Sequence, residues 1–178
     1  EFSLLGSDSL MFNSLLPFSN LGVPYVSERT IQQVTLKRTY GRVWQINNTH
    51  FEISGFNTDQ SVQCKSYLQA HFPDNTSQIL IGDLNTSPGQ TSYENLVTAD
   101  GLIDLWTESM TPGPHYTYGL DLRATSPTLS SQLDYIMARE YLASSNHSIH
   151  PLGPELIAGT FLSASDHALI LTDITAHY

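Results

Sequence analysis

The segment ILIGDLNTSP at residues 79–88 decides how this chain folds, because it begins as a strand and ends as something else. Its apolar start is typical of a buried β-strand. Gly82 interrupts the apolar run, Asp83 and Asn85 follow it, and Pro88 lacks the backbone donor that a continuing strand would need. We therefore predict a strand that ends by presenting a carboxylate and a carboxamide at an edge of a sheet.

Three other segments place Asp, Asn or His where an apolar strand ends or begins. NNTHFE contains His50, QLDYIM contains Asp134, and SASDHALIL contains Asp166 and His167. A single Asp at a strand end is usually a turn former or a helix cap. Asp134 differs because it interrupts an apolar strand, where a half-buried carboxylate requires a partner.

Predicted strands and helices alternate along the chain, and this pattern favours an α/β layered domain with a mixed sheet. The 178 residues suffice for one domain with a hydrophobic core. Long loops are expected around 112–128 and 142–165, and such loops often carry function. The predicted strands cover 10–12, 30–36, 42–51, 78–81, 132–138 and 168–174, and the predicted helices run from Thr58 or Asp59 to about Phe72 and from Thr91 to near Gly101.

Composition argues against several classes of protein. The formal net charge is -10 and the chain has 7 Lys+Arg, so it lacks the cations that hold a nucleic acid by charge. A nuclease whose metal supplies positive charge stays possible. Cys64 is the single cysteine, which excludes an internal disulfide and multi-cysteine zinc sites, and we expect it inside a helix. The longest apolar runs, such as 168–171, are too short to span a bilayer.

The set of strand-end polar groups indicates phosphoester hydrolysis. Water is a poor nucleophile and a phosphate is already anionic, so such a site needs a divalent cation, a carboxylate to align water and donors for phosphate oxygens. Magnesium favours oxygen ligands, which carboxylates provide. A histidine held by an aspartate can donate to the phosphate.

The same four segments resemble the endonuclease/exonuclease/phosphatase superfamily, the DNase I-like fold, in order along the chain. NTH at 48–50 is similar to that family's Asn-Thr-His-Leu, and GDLN at 82–85 to its Gly-Asp-Phe-Asn. QLDYI at 132–136 is similar to its Arg-Ile-Asp-Tyr-Ile, and SDHALI at 165–170 to its Ser-Asp-His ending. HYTYG at 115–119 lies where the family often has a threonine in a loop. The resemblance implies a layered β-sandwich flanked by helices, of the α/β (α+β) class.

The resemblance also implies a role for each matching residue. Asp83 would align or activate the attacking water, and Asn85 would hold a phosphate oxygen. His50 would be a second donor to the phosphate, near the leaving group.

The remaining matching residues would hold the cation and the phosphate. Asp166 would help to bind Mg²⁺, for which Mn²⁺ could substitute. His167 would contact the phosphate, oriented and kept charged by Asp134.

The family's domain is longer than this chain, and we expect 1–178 to be a single partial domain that lacks the N-terminal strand-helix-strand segment. That segment carries a Gln-Glu pair whose Glu is the principal magnesium ligand, and no Gln-Glu dipeptide occurs here. Gln60 and Gln132 stand where the family has arginines. We therefore expect this chain alone to be weakly active or inactive. We also expect an exposed sheet that favours self-association or a covering partner.

Residues 82–106 bear on the class of substrate. The segment 82–106 is similar in shape to the sphingomyelinase-like branch, which favours a lipid or small phosphoester over nucleic acid. A DNA or RNA endonuclease and a non-catalytic binding module on the same fold are the alternatives. A serine hydrolase is disfavoured because the chain has no Gly-x-Ser-x-Gly elbow.

Overall fold

Residues 79–83 of the segment ILIGDLNTSP lie in an interior strand of a mixed sheet. The computed structural model describes residues 1–14, 16–20, 23–39, 41–72, 76–97, 101–108, 115–119, 128–139, 142–151, 155–157, 160–162 and 166–176. In this part of the chain the elements are β1 (Phe2–Met11), β2 (Leu16–Asn20), β3 (Val23–Ser27), β4 (Thr30–Arg38), β5 (Val43–His50), α1 (Phe56–Ala70), β6 (Thr76–Asp83), α2 (Thr91–Val97), β7 (Ile103–Asp104), α3 (Leu105–Glu108), β8 (Asp134–Arg139), β9 (Leu142–Pro151), β10 (Glu155–Ile157), β11 (Thr160–Leu162) and β12 (Ala168–Ala176).

Six strands pair in the order β1-β4-β5-β6-β8-β7. β5 and β6 are parallel, and the other neighbouring pairs are antiparallel. A parallel pair needs a crossover connection, and α1 supplies it between β5 and β6. The predicted α/β fold with a mixed sheet is confirmed. Three antiparallel pairs lie outside this sheet, β9 with β12, β2 with β3, and β10 with β11.

Gly82 permits the close approach of β5 to β6. Its φ is 136°, a conformation that glycine adopts readily and that other residues avoid. A Cβ atom at this position would overlap the backbone carbonyl oxygen of Thr49, the residue paired with Gly82 on β5. The strand therefore continues through the glycine to Asp83, where the sequence pattern indicated a break.

The hydrophobic core lies between the sheet and helices α1 and α2. Leu80 and Met137 contribute from β6 and β8, Leu68 and Cys64 from α1, and Leu96 from α2, all at most 1% exposed. Burial of this apolar area is the main stabilising contribution to the domain. The prediction that Cys64 lies inside a helix is confirmed, and its burial is complete.

Buried amide side chains also line the helix-facing side of the sheet. The Gln33 side chain donates to Asn47 Oδ1 at 3.0 Å, and Asn47 Nδ2 donates to the Ile79 carbonyl at 2.9 Å. Gln78 Nε2 donates to Gln45 Oε1 at 3.1 Å. Because each amide finds a partner on a neighbouring strand, their burial avoids the cost of unpaired polar groups. These four amides, Gln33, Gln45, Asn47 and Gln78, are called the amide ladder below.

One prediction about local structure was wrong, and another gave a strand that was too short. The range 142–165 was expected to be a loop but contains β9, β10 and β11. The Ser-rich sequence of β9 has little apolar alternation, and its strand conformation comes from pairing with β12. The predicted short strand at 10–12 is the end of the much longer β1, which pairs along its length with β4.

The first strand exposes apolar surface at the edge of the sheet. Phe2, Leu4 and Leu5 on β1 are 53%, 68% and 56% exposed. None of the helices in the described residues has the length and apolar character needed to cross a membrane. The partner or second copy expected to cover the exposed sheet stays a prediction.

Candidate active site

Strand pairing alone brings three of the predicted residues together. β5 ends at His50, β6 ends at Asp83 and β8 begins at Asp134. His50 is paired with Asp83 across the parallel strands, and Asp83 with Asp134 across the antiparallel strands. The His50 Nε2 to Asp83 Oδ2 distance is 3.3 Å. Three adjacent strand ends thus form a rigid base for a site.

His167 joins this row from a distant part of the chain. Its Nδ1 lies 2.7 Å from Asp134 Oδ2, and its Nε2 lies 3.8 Å from Asp83 Oδ2. A bridge between the backbones of His167 and Tyr118 fixes the segment, and the two rings pack with centroids 4.8 Å apart. The Asp134 carboxylate, expected to need a partner, therefore has an imidazole as one partner.

Thr117 is the second partner of Asp134, and it was not among the residues predicted for the site. Its hydroxyl donates to Asp134 Oδ2 at 2.7 Å and accepts the backbone N–H groups of Leu133 and Asp134, both at 3.1 Å. Its backbone carbonyl accepts the N–H of Ala168 at 2.7 Å, next to His167. The side chain is thus a positioning group for Asp134. The threonine within HYTYG was the available sequence signal.

Asn85 lies in the turn after β6, with a φ of 45° that asparagine tolerates better than most residues. Its backbone N–H donates to Asp83 Oδ1 at 2.8 Å. Its side-chain Nδ2 donates to the Phe51 carbonyl at 2.8 Å and lies 3.2 Å from His50 Nε2. The Asn57 side chain donates to the Asn85 carbonyl at 2.7 Å. Contact of Asn85 Nδ2 with a phosphate oxygen would replace its contact with His50.

Asp166 is placed differently from the other predicted residues. The carboxylate and imidazole atoms that lie within 4.8 Å of one another in the described residues come from Asp83, Asp134 and His167. The Asp166 backbone carbonyl accepts the N–H of Gly119 at 3.2 Å. The role of Asp166 as a metal ligand stays a prediction.

The two imidazoles have opposite electrostatic environments. Burial lowers the pKa of His167, but its hydrogen bond to Asp134 and the nearby carboxylate charges outweigh that effect, so the pKa is raised above 6.5. Burial lowers the pKa of His50 below 6.5, and the charge of Arg29 adds to this effect against that of Asp83. Near neutral pH, His167 is therefore the better proton donor and His50 favours its neutral form.

The carboxylate of Asp83 is harder to ionise than an ordinary aspartate. Burial raises its pKa most, and the charge of Asp134 adds to the increase, while the Asn85 backbone N–H opposes it. Two carboxylates in one small site repel each other, and a cation between them would relieve that repulsion.

An ion pair next to His50, between buried Glu52 and half-buried Arg29, was also missed by the sequence analysis. Glu52 is 1% exposed, and its Oε2 lies 3.2 Å from Arg29 Nε. Gln60 accepts the Glu52 backbone N–H at 2.7 Å and donates to the Ser14 carbonyl at 2.6 Å. Gln60 thus connects α1 to the segments around it, and Arg29 places a positive charge close to His50.

The fold of this chain is similar to that of several solved structures. The chain is similar to a mannosyl-6-phosphatase of Bacteroides thetaiotaomicron (14% identity, TM-score 0.72), covering 98% of this chain and 67% of that one. It is also similar to the human Nocturnin catalytic domain with bound sulfate (19% identity, TM-score 0.66, 99% and 60% coverage). A third similar structure is D. rerio TDP2 complexed with a single-strand DNA product (18% identity, TM-score 0.69, 98% and 69% coverage).

At these identities the similarity shows a shared fold, and the chain spans 60% to 69% of the length of these three structures. No curated protein matches the sequence. The sequence profile described as the Endonuclease/Exonuclease/phosphatase family matches residues 9–167. The match covers most of the chain, and the chain therefore belongs to the endonuclease/exonuclease/phosphatase family.

Proposed function

We propose that this chain carries the reaction site of a magnesium-dependent phosphoester hydrolase. The observation that carries the proposal is the cluster of Asp83, Asp134 and His167, whose ligand atoms all lie within 4.8 Å of one another. The carboxylates of Asp83 and Asp134 offer oxygen ligands of the kind that Mg²⁺ or Mn²⁺ prefers, and Asp166 would add a third, while His167 is left to contact the phosphate. The bound cation would neutralise charge on the phosphate.

The other side chains of the site position the attacking water and the phosphate. Asp83 accepts a hydrogen bond from the attacking water and aligns it. His167, held by Asp134 and with a raised pKa, donates a proton or a hydrogen bond to a phosphate oxygen. Asn85 holds a phosphate oxygen, and His50 donates to the phosphate near the leaving group.

We propose a lipid or small phosphoester as the substrate class, with the sphingomyelinase-like branch as the assignment that the segment 82–106 favours. The net charge of -10 makes a long nucleic acid the less suitable substrate. DNA or RNA hydrolysis is the second candidate, because one structurally similar protein is complexed with a single-strand DNA product. A binding module without turnover is the third.

We further propose that the isolated chain is weakly active, because it lacks the Gln-Glu pair that supplies the family's principal metal ligand. Metal binding is therefore the first test. Mg²⁺ affinity is measured by isothermal titration calorimetry for the wild type and for Asp83→Asn, Asp134→Asn and Asp166→Asn. Glu94→Gln, an exposed acidic residue on α2, is the matched control.

The first two variants are expected to weaken Mg²⁺ binding by about tenfold or more, and the control to leave it unchanged. The Asp166 variant decides whether its carboxylate is a ligand. Hydrolysis of bis(4-nitrophenyl) phosphate should fall by about 10²-fold or more in His167→Ala. Equal Mg²⁺ affinity in the wild type, Asp83→Asn and Asp134→Asn would contradict the proposal.

A further inference from the structure

A small polar cleft opens next to His50, on the side away from His167. Its volume is about 200 Å³, below the roughly 300–1,000 Å³ of clefts that hold drug-sized ligands. A cleft of this size can hold a chemical group about as large as a single ring. The residues that line this His50 cleft are Glu28, Arg29, Thr30, Gln32, Asn48, Thr49 and His50.

The polar character of the His50 cleft is confined to one end of a sheet face. Alternate residues of a strand share one face, and on β5 these are Trp44, Ile46, Asn48 and His50. The first two line an apolar cavity at the far end of the sheet, whereas the last two line the cleft. The same face of β5 therefore changes from apolar to hydrogen-bonding groups as it approaches the candidate active site.

Two amide side chains form the middle of the cleft. Gln32 on β4 and Asn48 on β5 are directly paired across the antiparallel strands, and both are exposed. In the part of the chain that the structure describes, neither side chain hydrogen bonds to another protein group. Gln33 and Asn47, one residue along each strand, bond to each other on the opposite face. Each cleft amide thus offers two donors and one acceptor to a ligand.

Charge in the cleft is mixed. Arg29 brings a cation whose Nε contacts Glu52, and Glu28 brings a carboxylate. A second phosphate would meet that carboxylate, so the cleft is poorly suited to a bisphosphate. The lining contains no Phe, Tyr or Trp, so a nucleobase could stack only on His50, which the phosphate would contact, or on Arg29, which contacts Glu52; it also has no aliphatic side chain for an acyl chain. Amides, a hydroxyl, a carboxylate and a guanidinium are groups that bind neutral hydroxyls.

We propose that the His50 cleft is a subsite for a sugar-like or polyol group attached to the phosphate, bound by Gln32 and Asn48. This inference rests on the proposed function, because it requires the phosphate to lie at His50, Asp83 and His167. It narrows the substrate class to small phosphoesters of polyhydroxylated compounds.

Two ligands with the same phosphate and the same number of carbon atoms test the proposal. Glucose 6-phosphate carries hydroxyls, and n-hexyl phosphate carries none. Each is titrated into the ¹⁵N-labelled chain with Mg²⁺ and followed by NMR, with inorganic phosphate as a separate ligand. Binding of glucose 6-phosphate should be about tenfold tighter than that of n-hexyl phosphate, and should shift the side-chain NH₂ signals of Gln32 and Asn48.

The double variant Gln32→Ala/Asn48→Ala should reduce this preference to about twofold or less, with Asn48→Ala alone as the substitute if the double variant does not fold. Gln69→Ala, an exposed glutamine on α1, should keep the full preference. Equal affinity for the two ligands, or a preference that survives in the double variant, would overturn the inference. If inorganic phosphate binds and shifts the His167 signal, but glucose 6-phosphate and n-hexyl phosphate bind equally well, only this inference fails. If no phosphate ligand binds, the proposed function fails with it.

Discussion

Replacing Gly82 with alanine tests whether the close approach of β5 and β6 is what places Asp83 beside His50. The glycine has a φ of 136°, and a Cβ atom there would overlap the Thr49 carbonyl oxygen. That oxygen belongs to the backbone of β5, an interior strand, so no flexible side chain can move aside. The two strands must separate locally, or the glycine position must change its conformation.

The free energy of unfolding should fall for two reasons. A non-glycine residue in a sparsely populated backbone region costs about 1–3 kcal/mol. Overpacking against surrounding structure adds about 1–3 kcal/mol. The sum of about 2–6 kcal/mol corresponds to a decrease in Tm of about 4–24 °C for a domain of this size.

Gly55→Ala is the matched control because it places a non-glycine residue at a positive φ but causes no overpacking. Its φ is 87°, and a Cβ atom there would meet no atom within 4 Å. Urea titration followed by the fluorescence of Trp44 and Trp106 gives the free energy of unfolding for each variant. Gly82→Ala should be the less stable variant and should also bind Mg²⁺ more weakly, because Asp83 is the next residue. Equal stability of the two variants would refute the reasoning.

Three further predictions follow from the site and the core. Thr117→Val should destabilise the domain by about 2–5 kcal/mol, because it leaves the N–H groups of Leu133 and Asp134 without their acceptor, whereas Thr117→Ser should stay close to wild type in urea unfolding. The imidazole of His167 should titrate above pH 6.5 by NMR, and Asp134→Asn should lower that pKa. Because the folded-state pKa is raised, the stability from the His167–Asp134 ion pair is complete below the unfolded-state pKa and is lost as pH rises through the folded-state pKa. A His167 that titrates below pH 6.5 in the wild type would contradict the assignment. Burial raises the pKa of the Cys64 thiol, so native protein should not react with a thiol reagent until it unfolds in urea, and rapid labelling without denaturant would show that α1 is misplaced.

The sequence was most informative where apolar runs meet polar side chains. The run before Asp83 predicted β6, and the apolar strand around Asp134 predicted both β8 and a half-buried carboxylate that needs partners. These positions could be predicted because a strand buried on both faces leaves a strong pattern, and because a polar group at its end has few ordinary explanations.

Other parts depend on contacts between distant segments. β9 carries little apolar alternation, so its pairing with β12 is visible only in three dimensions. The partnership of Thr117 with Asp134 requires that a loop return to the start of β8. The facing positions of Gln32 and Asn48 depend on the register of β4 and β5, which the residue pattern leaves open.

The amide ladder has a consequence for how the strands find their alignment during folding. A shift of one residue in β4 or β5 would turn Gln33 and Asn47 toward the opposite face, and a shift in β6 would do the same to Gln78. Apolar side chains tolerate an approximate neighbour, but a buried amide without its partner costs about 1–3 kcal/mol. The ladder therefore disfavours misaligned sheets, and it lies on the helix-facing side of the sheet, opposite His50. Substitutions in the amide ladder are therefore expected to displace His50, Asp83 and Asp134 without changing any of these three residues.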